Sequence, residues 1–386
     1  MVSNGLRDAG YQYVNVDDCW AVTRDPHTYE LVPDPQAFPE GIKAVADYVH
    51  SKGLRFGIYT DRGYKTCAGR PASSGWEGVD AATFASWGVD YLKEDSCNAD
   101  SVNHEVAFAD YGRMRDALNA TGRPILFSLC GWHDWYSPVG AALGNSWRIS
   151  GDVNKWPSVY ASAMINAELS ANAGPGAWND PDMLVGSSPA AAMYNTQEQS
   201  RTQFSLWAAM AAPLLIGSNV IGLTKYDLET YTNAEVIAVN QDALGEQATI
   251  IKDNCPERTL EQLQAWRDPA RSLDELVAGS GGVPECTQVW AKPLSDGSAA
   301  LVLINWSGPS TVVECDDACV RAAGVDAGTV SAYDLWEHRD LGVMDTVKVP
   351  VGADGASAMV RVSSAAGVAR FAQGAVPRGA LSAAVR

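Results

Sequence analysis

The chain has 386 residues, enough for one large barrel with its own core and a smaller second domain. Its formal net charge is −18, with 28 Lys plus Arg against 46 Asp plus Glu. A surface this acidic repels phosphate backbones and anionic lipid, which excludes nucleic acid and membrane surfaces as partners and leaves neutral small molecules and polysaccharides. The apolar run over 208–217 is shorter than the roughly 20 residues of a membrane span, and the residues after Met1 lack the basic start and apolar middle of a signal peptide.

In chain order, short β-branched or aromatic runs alternate with longer amphipathic stretches. The runs are Tyr13 to Val16, Arg55 to Tyr59, Tyr91 to Lys93, Ile125 to Leu129, Ser146 to Ser150, the segment around Ala177 and Trp178, and Leu214 to Ile216. Between them lie helical patterns such as Gly41 to His50, which Lys52 and Gly53 end in the manner of a C-cap. Strand, helix, strand at this spacing predicts a parallel sheet with crossover helices, an α/β fold. Seven strands are visible where a closed (β/α)8 TIM barrel has eight.

Polar residues gather just past these strands: Asp17-Asp18-Cys19-Trp20, Thr60-Asp61-Arg62, Glu94-Asp95, Cys130-Gly131-Trp132-His133-Asp134, Gly151-Asp152, Asn179 to Asp182 and Ser218-Asn219. In a barrel those ends converge on one mouth, where active sites are built. Carboxylates accept hydrogen bonds from sugar hydroxyls and aromatic faces pack on the apolar side of a sugar ring, so such a mouth suits a polyhydroxylated ligand. Lys93 and Asp95 stand two apart on a strand and share a face. The cation keeps the carboxylate ionised, as a nucleophile in retaining glycoside cleavage requires. Alone, Lys-x-Asp would read as a surface salt bridge; repetition of the design at the other strand ends favours a site.

Eight cysteines fit a framework of pairs. Cys67 and Cys97 each follow a strand, and neighbouring parallel strands bring them together. Cys315 and Cys319 can close a tight loop, and Cys255 with Cys286 can staple a Gly-rich insertion. With sequons at Asn119 and Asn305, these pairs favour an oxidising compartment, secreted or lysosome-like. The five His are scattered and no Cys pair has zinc-finger spacing, so neither metal nor cofactor is expected.

The order of motifs resembles glycoside hydrolase family 27, which contains retaining α-galactosidases and α-N-acetylgalactosaminidases. The matching stretches are Val14 to Trp20, Gly57 to Tyr59, Tyr91 to Asp95, Ser128 to Cys130, Arg148 to Asp152, Trp178 to Leu184 and Val239 to Asp242. The resemblance implies that Asp95 is the nucleophile and Asp152 the general acid/base. It implies that Asp17 and Asp18 hold the galactose 4- and 6-hydroxyls, and that Tyr59, Lys93, Arg148 and Asp182 line the sugar site. Cys130 and Trp132 join them as substrate-binding candidates, and a Cys67–Cys97 bridge follows as well. The chemistry requires Asp95 ionised and Asp152 raised enough to hold a proton, with the two carboxyls about 5 to 5.5 Å apart.

Three features depart from the pattern. The family's first strand, with a substrate-facing Trp and the partner of Cys19, is expected to be missing from this chain, which raises a non-catalytic sugar-binding relative as the alternative class. Gly131 stands where many α-galactosidases carry Glu, which would admit an N-acetyl group or leave room for His133 or Trp135. Glu94 replaces an apolar neighbour of the nucleophile and points away from the mouth by strand alternation.

The expected domains are a catalytic barrel over 1–246 and a C-terminal antiparallel β-sandwich over 247–386 carrying the Cys255–Cys286 insertion. In the insertion, Leu260 to Leu263 reads as helical. Alternation over Val289 to Lys292, Ala299 to Trp306, Thr329 to Leu335 and Val347 to Val351 gives the β-domain its strands. The function expected is hydrolysis of terminal α-galactosyl residues from galactosides or oligosaccharides through a covalent glycosyl-enzyme. α-N-Acetylgalactosaminides and β-L-arabinopyranosides are the alternative substrates. The sequence leaves the oligomeric state open.

Overall fold

The computed structural model describes all residues except 101, 189–193, 260–261, 263–264, 267–270, 327 and 366–386. The helix expected over 260–263 therefore lies outside the described residues, apart from 262.

Six parallel strands form one sheet in sequence order: Tyr13–Asn15, Arg55–Asp61, Tyr91–Asp95, Leu126–Leu129, Ser146–Arg148 and Trp178–Asp180. They are apolar almost throughout because helices cover the sheet from outside and side chains fill it from within; Phe56, Ile58, Leu92, Leu129 and Trp147 are all buried. The crossover helices are specified locally. Asn103 caps His104–Ala120 by accepting the Glu105 and Val106 N–H, and a Thr196/Gln199 capping box starts Gln197–Ala209. Because every strand runs the same way, Asn15, Asp61, Asp95, Leu129, Arg148 and Asp180 all lie at the same end of the sheet, its carboxyl end.

The seventh run is not a ladder strand. Leu214 to Ile216 makes a single parallel bridge, Ile216 to Leu184. Asp182 takes a left-handed backbone (φ 82°) between the Trp178–Asp180 strand and Leu184, so the chain turns out of register there and no ladder continues. Sequence reading also missed the hairpin of Ala21–Arg24 with Leu31–Pro33.

The C-terminal part is a six-stranded antiparallel sheet in the order 339–344, 330–334, 357–364, 299–305, 287–293 and 249–253, faced by the pair Thr311–Cys315 and Val347–Val351. Strand alternation divides the Ala299–Asn305 side chains between two interfaces. Leu301 and Leu303 pack inside the sandwich with Val313, Val347 and Val360, while Val302 and Ile304 join a cluster with Trp156, Tyr160 and Phe204 of the barrel helices. One apolar core thus runs from barrel to sandwich. Trp156 Nε1 reinforces it by donating to the Trp306 carbonyl at 3.1 Å.

Cys67–Cys97, Cys255–Cys286 and Cys315–Cys319 are disulfides, whereas Cys19 and Cys130 are free thiols. The two sequons differ in their surroundings. Asn305 is buried and its Nδ2 donates to the Pro309 and Gly352 carbonyls at 2.8 Å, so that nitrogen is committed to the fold; Asn119 is exposed.

Candidate active site

The nucleophile candidate ends its strand at the centre of the sheet. Asp95 is 5% exposed, and Lys93, two residues earlier on the same face, brings Nζ to 3.9 Å from its Oδ2. Lys93 also donates to Asp17 Oδ2 at 2.9 Å and lies 5.1 Å from the centre of the Tyr59 ring. The register sets Tyr59 beside Lys93 on the adjoining strand. Burial works against charge on Lys93, but Cys130, Asp17 and Asp95 outweigh it and hold the ammonium protonated.

Asp17 and Asp18 follow the first described strand. Asp17 Oδ1 accepts the Asp18 N–H at 2.9 Å, and Asp18 accepts the N–H of Cys19 at 2.6 Å and of Ala68 at 2.8 Å. Ala68 neighbours Cys67, whose sulfur takes a hydrogen bond from the Tyr59 hydroxyl at 3.2 Å. Asp17 keeps a largely exposed side chain, so the pair presents free acceptor capacity to the mouth.

Arg148 organises the opposite side. It is buried, and its Nη1 pairs with Asp182 Oδ1 at 2.9 Å while Nη2 donates to Asp152 Oδ1 at 3.0 Å. Nη1 also lies 3.7 Å from Cys130 Sγ. Asp182 Oδ2 accepts the Val153 N–H at 2.8 Å, which fixes the turn that carries Asp152. Among non-glycine residues of the mouth loops, Cys19, Trp132 and Asp182 all have left-handed φ, at 75°, 61° and 82°. Strain of this kind gathers at functional sites, and here it re-aims the turns after the first, fourth and sixth strands of the sheet.

Asp17, Asp18, Tyr59, Lys93, Asp95, Cys130, Arg148, Asp152 and Asp182 are therefore joined by contacts into one constellation, with Trp132 two residues from Cys130 on its rim. The charge distribution reverses one expectation. Burial raises Asp95, and the opposing pull of Lys93, the Ser96 N–H and Arg148 does not cancel it. Burial also acts upward on Asp152, but Arg148 overcomes it and leaves that carboxyl below its ordinary value. The side chain of Asp152 is 72% exposed, whereas Asp95 is enclosed; the difference follows from a rim position beside an arginine.

Gly131 leaves no vacancy. A Cβ there would stand 1.9 Å from Cε2 of Tyr136, whose buried ring occupies the space; His133 and Trp135 stack on each other instead, 4.8 Å apart. Two acids without a role in the sequence reading also belong to this region. Asp180 is buried and pushed up to about 6, chiefly by burial. Asp61 pairs in register with Asp95. Its place at a strand end was visible, but its partner was not, because register is not written in a single sequence.

Comparison with known proteins gives the same picture. The alpha galactosidase A family model matches residues 1–242, and the alpha galactosidase C-terminal beta sandwich domain model matches residues 285–360. An alpha-galactosidase of Cyamopsis tetragonoloba is 43% identical over 344 residues, covering 88% of this chain and 74% of that protein. The solved alpha-galactosidase I of Mortierella vinacea superposes with TM-score 0.79 at 31% identity, over 94% of this chain and 91% of that one. An alpha-galactosidase of Saccharomyces cerevisiae, solved with raffinose, gives TM-score 0.78 at 27% identity, over 94% and 91%. The fold is thus the TIM barrel with a C-terminal β-sandwich.

Proposed function

The chain belongs to the alpha-galactosidase family, glycoside hydrolase family 27, and from that premise we propose that it releases terminal α-galactosyl residues from galactosides and oligosaccharides with retention of configuration. The observation that carries this reading is the pair of carboxyls, Asp95 and Asp152, each set against its own cation and linked through Arg148 and Cys130. A binding module needs no such pair.

In this reading Asp17 and Asp18 accept hydrogen bonds from sugar hydroxyls and Tyr59 packs on the ring, so the anomeric carbon faces Asp95. Trp132 stands at the rim, where the leaving group departs. Asp95 then forms a bond to that carbon as the glycosidic bond breaks, and Asp152 delivers its proton to the departing oxygen. Arg148 holds the free Asp152 ionised. A sugar covering its exposed face removes water from it, which favours the protonated form. In the second step the same arginine favours the ionised Asp152 that draws a proton from water. Asp182 is the strut that orients Arg148.

Galactose is preferred over N-acetylgalactosamine because Tyr136 fills the room next to Gly131. The three disulfides fit an extracellular or lysosomal setting, in which we place the enzyme. Among the described residues no helix is long and apolar enough to cross a membrane.

The test is proton NMR of the hydrolysis of p-nitrophenyl α-galactoside, α-N-acetylgalactosaminide and β-L-arabinopyranoside. The α-galactoside should turn over fastest, with the α-anomer of galactose formed first. First release of the β-anomer, or preference for the N-acetylated substrate, contradicts the proposal.

A further inference from the structure

Asp61 ends the strand beside that of Asp95, and the two are direct partners in the parallel register. Asp61 is fully buried, Asp95 nearly so, and their carboxyl oxygens lie within 4.8 Å of each other. The Cys67 and Cys97 sulfurs complete that cluster, but they are bonded to each other, so it offers no thiolate for a metal. Two buried carboxylates this close cannot both carry charge without a large penalty, and they titrate as a coupled pair.

Their surroundings differ. Asp95 faces Lys93 and Arg148. Asp61 accepts the N–H of Gly63 and of Cys97, both at 2.7 Å. The adjacent Arg62 is committed to Ser96 Oγ, Asp110 and the Asp100 carbonyl. Behind Asp61 stands Glu94, wholly buried, with neither carboxyl oxygen hydrogen-bonded among the described residues; Glu77 and Asp110 lie beyond it, and Tyr59 faces Asp61 as well. Burial and the charge of Asp95 oppose a negative charge on Asp61, and the neutral Glu94 behind it brings no compensating cation or donor.

We propose that Asp61 is a positioning residue that holds the proton of the buried pair, so that its single negative charge rests on Asp95. The proposal rests on the reading of Asp95 as nucleophile. It accounts for a buried acid directly behind a group that must stay ionised, and it gives Glu94 a purpose: a neutral wall that keeps Asp61 neutral. Burial first, then the charge of Asp95, push Asp61 up to about 7 against the pull of its two N–H donors and Arg62. A carboxyl raised in the folded state contributes stability that is complete below its unfolded value of about 4 and is lost as pH rises through about 7. Above neutrality Asp61 ionises, and its repulsion displaces the Asp95 carboxylate from the anomeric carbon.

The test combines labelling and melting of the full chain and of Asp61→Asn between pH 4 and 9. The probe is 5-fluoro-α-galactosyl fluoride. An Asp95 oxygen bonds to its anomeric carbon while the carbon–fluorine bond breaks and fluoride leaves with the electron pair, so little acid catalysis is needed. In the wild-type protein, labelling should slow as pH passes about 7, and the melting temperature should fall from about pH 4 and level off above about 7; in Asp61→Asn both inflections should vanish. An Asp61→Asn protein that keeps both inflections overturns the proposal. Should that variant not fold, a wild-type melting temperature that does not fall between about pH 4 and 7 overturns it on its own. Failure of either protein to take the label at any pH would count against the nucleophile reading instead, and the melting curves would still decide on Asp61.

Discussion

Replacing Lys93 by Met removes the cation 3.9 Å from Asp95. Lys93 lowers Asp95, so its loss should move the acid limb of kcat/KM to higher pH and cut the rate by roughly 10²-fold or more, measured on an aryl α-galactoside. An unmoved limb would mean that Lys93 does not face the nucleophile in solution. The pair as a whole sets a narrow working range. Asp95 is raised and Asp152 lowered, so the reactive state, Asp95 ionised and Asp152 protonated, is a minority form that peaks on the acid side. kcat/KM should be greatest on the acid side and fall about tenfold per pH unit once the pH exceeds the higher of the two values, that of Asp95. At Gly131, the Ala variant must displace the buried Tyr136 ring and should cost about 1–3 kcal/mol in urea unfolding. At this scale the strand-end acids were legible because residue type and position carry the chemistry. The order of protonation was not, because it depends on which carboxyl the fold encloses and which it leaves on the rim.

Among elements, the strands Arg55–Asp61 and Tyr91–Asp95 end in Asp61 and Asp95, and the disulfide between Cys67 and Cys97 ties the loops that follow them across the mouth. Changing Cys67 and Cys97 together to Ser should lower stability by about 2–4 kcal/mol and raise KM more than it lowers kcat, since the Ala68 N–H that holds Asp18 follows Cys67 directly. Thermal melting with steady-state kinetics checks both. The parallel strands could be read from their apolar runs, and the helices from their caps. The run at Leu214 to Ile216 misled because its composition is that of a strand, while the left-handed turn at Asp182, set by tertiary contacts to Arg148 and Val153, removes the neighbour it would pair with.

Across the whole molecule, barrel and sandwich share one apolar core, with Trp156, Tyr160 and Phe204 against Trp290, Val302, Trp306 and Met359. A chain cut after residue 246 would leave those barrel side chains in water, so it should be insoluble or aggregated, as size-exclusion chromatography would show. The alternation of Ala299–Asn305 was legible, but not that both of its faces would be covered, since the second partner is distant in sequence. The most direct measurement of the central claim is peptide mass spectrometry after labelling with 5-fluoro-α-galactosyl fluoride. The account predicts one glycosyl group per chain, bound to Asp95. A label on Asp152, Asp61 or any other residue would contradict it.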